Sequence, residues 1–141
     1  MELIFNILVK ELKKCKKNKD VPVSALLIDT NNKIVAKSFN SRQKKYNFSN
    51  HAEIRVLNKM YKRMRTKNLG EYKLVTTLKP CLMCITVIEE ANIKNVLYYL
   101  DNIKCNYNRI STYIKFEKMG DHKEYKVFES ELKEFFLNLR K

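Results

Sequence analysis

The chain has 141 residues, 45% of them hydrophobic, and a formal net charge of +14, which suits one continuous domain with its own core and leaves no room for a second. No stretch approaches the ~20 apolar residues of a membrane span. Residues Met1 to Phe5 lack a basic start and Asn6 and Lys10 interrupt the apolar run, so no leader and no membrane association are expected, and the expected location is the cytoplasm. The charge points to a polyanionic partner, most naturally a nucleic acid. Lysine nevertheless outnumbers arginine 23 to 6, a bias that AT-rich coding produces whatever the partner.

Leu3 to Lys17 reads as an amphipathic helix, with Ile4, Leu8, Leu12 and Cys15 on one stripe. Val21 to Asp29 and Lys33 to Phe39 are β-rich runs joined by Thr30-Asn31-Asn32, the pattern of a hairpin. Asn40 to Asn50 is polar and aperiodic and predicts a loop. From His51 to Arg65 the residues Ile54, Leu57, Tyr61 and Met64 recur at helical spacing and predict a core stripe, and Gly70 predicts the stop. Tyr72 to Leu78 reads as a strand, a helix should follow Lys79-Pro80 and run to Ala91, and Asn95 to Leu100 is too short for anything but a strand. Strand, helix, strand at this spacing implies a parallel crossover. Asp101 to Asn108 is a polar loop, and Ile110 to Met119 predicts a helix ended by Gly120. Tyr125 to Phe128 suits a short strand or a lead into a last helix, Glu129 to Leu139, whose apolar side would carry Leu132, Phe135, Phe136 and Leu139.

The chemistry concentrates at two predicted helix starts, His51-Ala52-Glu53 and Pro80-Cys81-Leu82-Met83-Cys84. One imidazole and two thiolates from His51, Cys81 and Cys84 match a catalytic zinc that keeps its fourth tetrahedral position open. Cysteines at i and i+3 lie on one helix face, and a helix start lowers thiol pKa. Glu53 then stands as the base that moves the proton of an acidified water. Alone, Cys-x-x-Cys also suits a redox pair or half of a structural zinc site, and Asn50-His51-Ala52-Glu53 also fits a capping box in which the glutamate returns to an N-cap amide. The combination is the signature of zinc-dependent base deaminases. Cys15 and Cys105 are left over as free thiols, since no disulfide framework is expected.

With these motifs the chain resembles the cytidine deaminase-like superfamily and, within it, the bacterial tRNA-specific adenosine deaminases. Val21-Pro22-Val23, Asn40, His51-Ala52-Glu53, Thr76-Thr77-Leu78 before the cysteine motif, and Phe135-Phe136 with Arg140-Lys141 carry the resemblance. It implies a three-layer α/β/α fold around a mixed sheet, one Zn2+ per subunit, a homodimer, and deamination of adenosine to inosine at the wobble position of a tRNA, bound through its anticodon stem-loop. It places substrate contacts at Asn40, Pro80, Asn102, Phe136, Arg140 and Lys141. The chain departs from the family pattern at Lys79, where glutamate is usual, at Ser24, where glycine is usual, at Leu137, where a basic residue is usual, and in a glycine-free loop after Asp101. Deamination of a free base, nucleoside or nucleotide is the competing activity, and a zinc-stapled RNA-binding module the competing non-enzyme.

Overall fold

The computed structural model describes residues 2–139, and every side chain among them except those of Lys44 and Lys45. The elements run α1 (Glu2–Leu12), α2 (Lys14–Asn18), β1 (Ser24–Ile28), β2 (Ile34–Phe39), α3 (Arg42–Lys45), α4 (Ala52–Met64), β3 (Lys73–Leu78), α5 (Leu82–Glu90), β4 (Asn95–Leu100), a 3-10 turn at Tyr107–Arg109, β5 (Lys115–Lys118) and α6 (His122–Leu139). Five strands form one mixed sheet in the order β2-β1-β3-β4-β5. The β1–β2 and β1–β3 pairs are antiparallel, whereas β3–β4 and β4–β5 are parallel, so β3, α5 and β4 form the expected crossover.

Burial on both faces explains why the middle strands read as continuous apolar runs. Ala25, Leu27, Leu74 and Val96 face the layer of α4 and α5, with Val56, Met60, Ile85 and Ile88. Leu26, Ile28, Val75 and Tyr99 face the opposite layer, where Ile4, Leu8 and Leu12 of α1 meet Phe128 of α6. This is the three-layer α/β/α arrangement. Ser24, in place of the usual glycine, ties α1 to β1 by donating its hydroxyl to the Leu8 carbonyl at 2.7 Å.

The hairpin is closed by Asp29, whose carboxylate accepts from the amides of Asn31 and Lys33, with Asn32 in the left-handed region. β2 is an edge strand, and edges invite pairing with other chains. Here Arg55, Lys59 and Arg63, one turn apart on α4, donate to the carbonyls of Phe39, Lys37 and Val35, every second residue of that edge. Part of the positive charge therefore has a structural use.

Several expectations are corrected. The first helix breaks at Lys13, where a tighter bond from the Lys16 amide to the Lys13 carbonyl resets the phase and α2 brings Cys15 against the Val23 and Asn40 carbonyls. Within the predicted loop, Arg42–Lys45 forms the short α3. The buried residues of α4 are Ala52, Glu53, Ile54, Val56, Leu57 and Met60, so Ile54 and Leu57 are core as expected, while Tyr61 and Met64 are each 45% exposed. Apolar spacing fixed the period of this helix but not which of two adjacent stripes meets the sheet. Arg65, in the left-handed region, ends α4 without Gly70.

Residues 110–119 contain β5 rather than a helix, because Phe116 packs half-buried beside β4 while Lys115 and Glu117 alternate outward. The last helix begins at His122 rather than near 129: Asp121 accepts from the Glu124 amide and Glu124 accepts from the Asp121 amide, a reciprocal capping box. Phe128 is its buried anchor, Leu132, Phe135 and Phe136 are half-buried, and Leu139 is exposed. Among the described residues no helix is long and apolar enough to cross a membrane.

Two predictions follow from the packing. Gly120 sits at φ +93°, and a Cβ there would meet the buried Tyr99 ring at 2.6 Å. Gly120→Ala should destabilise the fold by about 3 kcal/mol in urea titrations, strain and overpacking acting together. Burial pushes the Cys15 thiol up from 9.0 to about 11. The folded chain therefore keeps a proton that the unfolded chain releases, so this thiol's stabilising effect is full below pH 9.0 and lost as pH rises through about 11. Across that window wild type should lose more stability than Cys15→Ala, by about 2 kcal/mol, measured by denaturant titration.

Candidate active site

Two helix starts meet at the ends of β1 and β3. α4 begins at His51 and α5 at Cys81, each residue serving as N-cap in an extended conformation that turns its side chain off the helix axis. Pro80 therefore lies just before the cap rather than inside the first turn. Cys84, buried in that first turn, completes the set.

The sulfurs of Cys81 and Cys84 are 3.5 Å apart, and His51 Nδ1 lies 3.6 Å from the first and 3.3 Å from the second. A tetrahedral metal with bonds of about 2.3 Å to sulfur and about 2.0 Å to nitrogen spaces such donors about 3.8 and 3.5 Å apart. The three donors thus fit a zinc ion as they stand. The sulfur–sulfur contact with Cys84, with His51 adding to the effect, draws the Cys81 thiol down to about 4, and the same contact together with burial drives Cys84 upward. The hydrogen bond with Cys81 raises the His51 imidazole. A divalent cation would displace these shared protons by binding the deprotonated forms.

Glu53 follows on the same turn and is 4% exposed. Burial raises its carboxyl to about 7. Its Oε1 is buried with no hydrogen-bond partner among the described residues. The capping-box alternative is not what forms, since the N-cap is His51 and no side chain of this segment caps the helix. The cap comes from elsewhere: Asn40 Oδ1 accepts from the Ala52 amide at 2.8 Å, and Asn40 Nδ2 donates to the Val21 carbonyl at 3.1 Å. An uncapped, buried carboxylate oxygen beside three metal donors is positioned for proton transfer.

A cavity of about 680 Å³ opens over this cluster and gathers most of the expected residues, Asn40, His51, Glu53, Cys81, Asn102 and Phe136 among them. Asn102 donates to the Lys79 carbonyl at 3.4 Å, and Lys104 lies 4.6 Å over the Phe136 ring. Pro80 is buried and does not line the cavity, its carbonyl accepting from the Tyr107 hydroxyl at 2.8 Å. Arg140 and Lys141 lie outside the described residues.

Sequence reasoning did not single out Arg42 or Tyr107 and gave Lys79 no role beyond a departure from the family pattern. Arg42 reaches the cavity from α3. Lys79 holds its ammonium 4.3 Å from the Tyr107 ring, 4.8 Å from Phe116 and 5.4 Å from Tyr98, so a departure from the family pattern is accommodated by three aromatic faces. Tyr107 ties the loop after β4 to the cysteine motif. No local sequence signal marks this cluster, since Lys79 and the three rings come from separate segments.

Comparison with known proteins agrees with this geometry. Residues 1–100 match the family model described as the cytidine and deoxycytidylate deaminase zinc-binding region. The chain is 39% identical over 80 residues to a tRNA-specific adenosine deaminase of Rickettsia bellii, matching 56% of this chain and spanning 55%, about half, of that relative's length. Over 131 residues it is 32% identical to a tRNA-specific adenosine deaminase of Buchnera aphidicola, with 86% and 79% of the two chains covered. A solved structure from work on A-to-I editing by tRNA:A34 deaminases shares the fold, with a TM-score of 0.73, 22% identity and coverage of 84% of this chain and 98% of that one.

The metal centre predicts a simple mutational pattern. Cys81→Ser and Cys84→Ser should each weaken zinc affinity by more than the roughly 100-fold that losing a supporting residue costs, whereas Cys105→Ser should leave zinc content unchanged by mass spectrometry of metals. Chelation should lower the melting temperature of the wild type.

Proposed function

The chain belongs to the cytidine and deoxycytidylate deaminase zinc-binding family, and from that membership we propose that it converts adenosine to inosine at the wobble position of a tRNA anticodon. The observation that carries the reading is Glu53, whose unpartnered oxygen stands beside the His51, Cys81 and Cys84 donors on the wall of an open cavity. A zinc staple needs no such carboxyl. The names of the relatives support tRNA as substrate, and the lysines and arginine around the cavity mouth suit a polyanion.

His51, Cys81 and Cys84 would hold the zinc ion. When bound, it supplies Lewis acidity that lets water lose a proton near neutral pH. Glu53 takes that proton as the water oxygen bonds to C6 of the adenine, and delivers it to the ring nitrogen N1. It then carries the second proton of the water to the amino group, which leaves as ammonia while the C6–oxygen double bond forms. One adenosine and one water give one inosine and one ammonia. A carboxyl drawn to about 7 by burial suits a group that must both take and give a proton.

Asn40 retains one amide hydrogen beyond its two scaffold bonds and would hold the base. Asn102, Phe136, Arg140 and Lys141 would hold the anticodon stem-loop, with the base swung out of its stack. Pro80 would act from behind, through its bond to Tyr107. Pairing into a homodimer and a cytoplasmic location belong to the same reading. Tyr61, Met64 and Met83 are apolar yet 39–45% exposed on α4 and α5, which supports the pairing.

Zinc-loaded protein should form inosine in a synthetic anticodon stem-loop bearing adenosine at the wobble position. Glu53→Gln should keep fold and zinc but lose about 10³-fold in rate, by mass spectrometry of nucleosides. Turnover of free guanine or cytosine instead would transfer the reading to a small-molecule deaminase. Silence with both, zinc bound, would favour an RNA-binding module.

A further inference from the structure

The cations around the cavity are not equivalent. Lys118 is engaged by Asp101 at 2.8 Å, Lys79 sits among three aromatic rings, and Lys104 lies over Phe136. Arg42 differs. Its Nε is shielded from solvent and has no hydrogen-bond partner among the described residues. No carboxylate pairs with it within salt-bridge distance among those residues, although Asp20 approaches the neighbouring Gln43 amide at 2.9 Å.

A buried donor without a partner is costly, and a guanidinium is built to take two oxygens of one anion. The main chain holds this one in place. The Arg42 carbonyl accepts from the Asn47 amide, and Ser41 N–H bonds to the Asn50 carbonyl, both at 3.0 Å, so the loop closes on itself around the residue. Arg42 shares the cavity wall with Asn40, His51 and Glu53. The loop that carries Arg42 is thus fixed on the same wall as the residues that would hold a base, and a base held there carries its phosphate within the same cavity.

We propose that Arg42 forms an anion subsite of the cavity, binding a phosphate oxygen of the substrate nucleotide while Asn40 and Glu53 attend to the base. The identity of that nucleotide rests on the deaminase reading; the anion subsite itself does not. The phosphate is either a diester within an RNA strand or the monoester of a free nucleotide.

The test uses the zinc-loaded full chain carrying Glu53→Gln, so that binding is read without turnover, with Arg42→Gln and Arg42→Lys added to it in turn. Stem-loop RNA is titrated by fluorescence anisotropy across a salt series, and adenosine 5′-monophosphate and adenosine are titrated by calorimetry. Arg42→Gln should weaken RNA binding about tenfold and flatten the slope of log affinity against log salt by about 0.7, one phosphate's share for a single strand. Arg42→Lys should keep the slope and lose part of the affinity, since it keeps the charge but not the fork. An Arg42-dependent preference for the monophosphate over adenosine would identify a monoester, and an effect confined to RNA a diester; both support the subsite. Unchanged affinity and slope in Arg42→Gln would overturn it. So would a fall in melting temperature with both unchanged, the result of an arginine that only serves Asp20. Should Arg42→Gln fail to fold, an Arg42→Lys protein that binds RNA and monophosphate as wild type does would likewise overturn it. Failure of the wild type to form inosine while the Arg42 effect persists would remove the deaminase reading alone.

Discussion

Asn40 accepts from the Ala52 amide and donates to the Val21 carbonyl, and through those two bonds the first turn of α4 is tied to the segment leading into β1. The chemistry depends on that turn. It carries His51 as N-cap and Glu53 two residues later, and a helix start with no cap of its own would fray. Supplying the cap from a different segment leaves the glutamate unspent. A capping box would have used the Glu53 carboxylate on its own backbone, and the cavity would then face a satisfied group rather than one available to protons.

The second helix start is placed by the sheet. β3 lies between β1 and β4, so the crossover through α5 delivers Cys81 and Cys84 beside the start of α4. Sulfur and nitrogen spacings of 3.3 to 3.6 Å result from the packing of α4 on α5 and on the strands beneath. Thr76 and Thr77 add polar stitches to Ser24 at the end of β3 nearest the site. Rigid strands and helix starts, rather than loops, hold the metal donors, whereas the cavity walls come from the loop after β2, the loop after β4 and α6. That division suits a fixed reaction on a substrate recognised by exchangeable surroundings.

The grouping of His51, Cys81 and Cys84 was legible from two motifs read together, and the hairpin and the β3–α5–β4 crossover from local spacing. Most of what was not legible depends on contacts between distant segments. Residues 110–119 have apolar positions compatible with either period, and pairing with β4 decides for a strand. Tyr61 and Met64 keep the period of α4 but lose to Val56 and Met60, since the phase of a helix is set by the sheet it covers. Asp121-His122-Lys123-Glu124 is a readable helix start whose signal outweighs the β-prone residues from Tyr125 to Phe128. The ladder of Arg55, Lys59 and Arg63 on β2 and the ring cage around Lys79 have no sequence signature, and both use charge that composition alone would credit to a partner.

The central claim is that His51, Cys81 and Cys84 form a three-donor catalytic centre and not part of a closed structural one. Cys105 lines the same cavity and offers the third sulfur that closure would need. X-ray absorption at the zinc edge tests this most directly. Two sulfurs at about 2.3 Å and two lighter donors at about 2.0 Å are expected, one of them exchangeable with added small anions. A shell of three sulfurs that survives such anions would contradict the three-donor centre, because Cys105 would then occupy the position that the substrate chemistry requires.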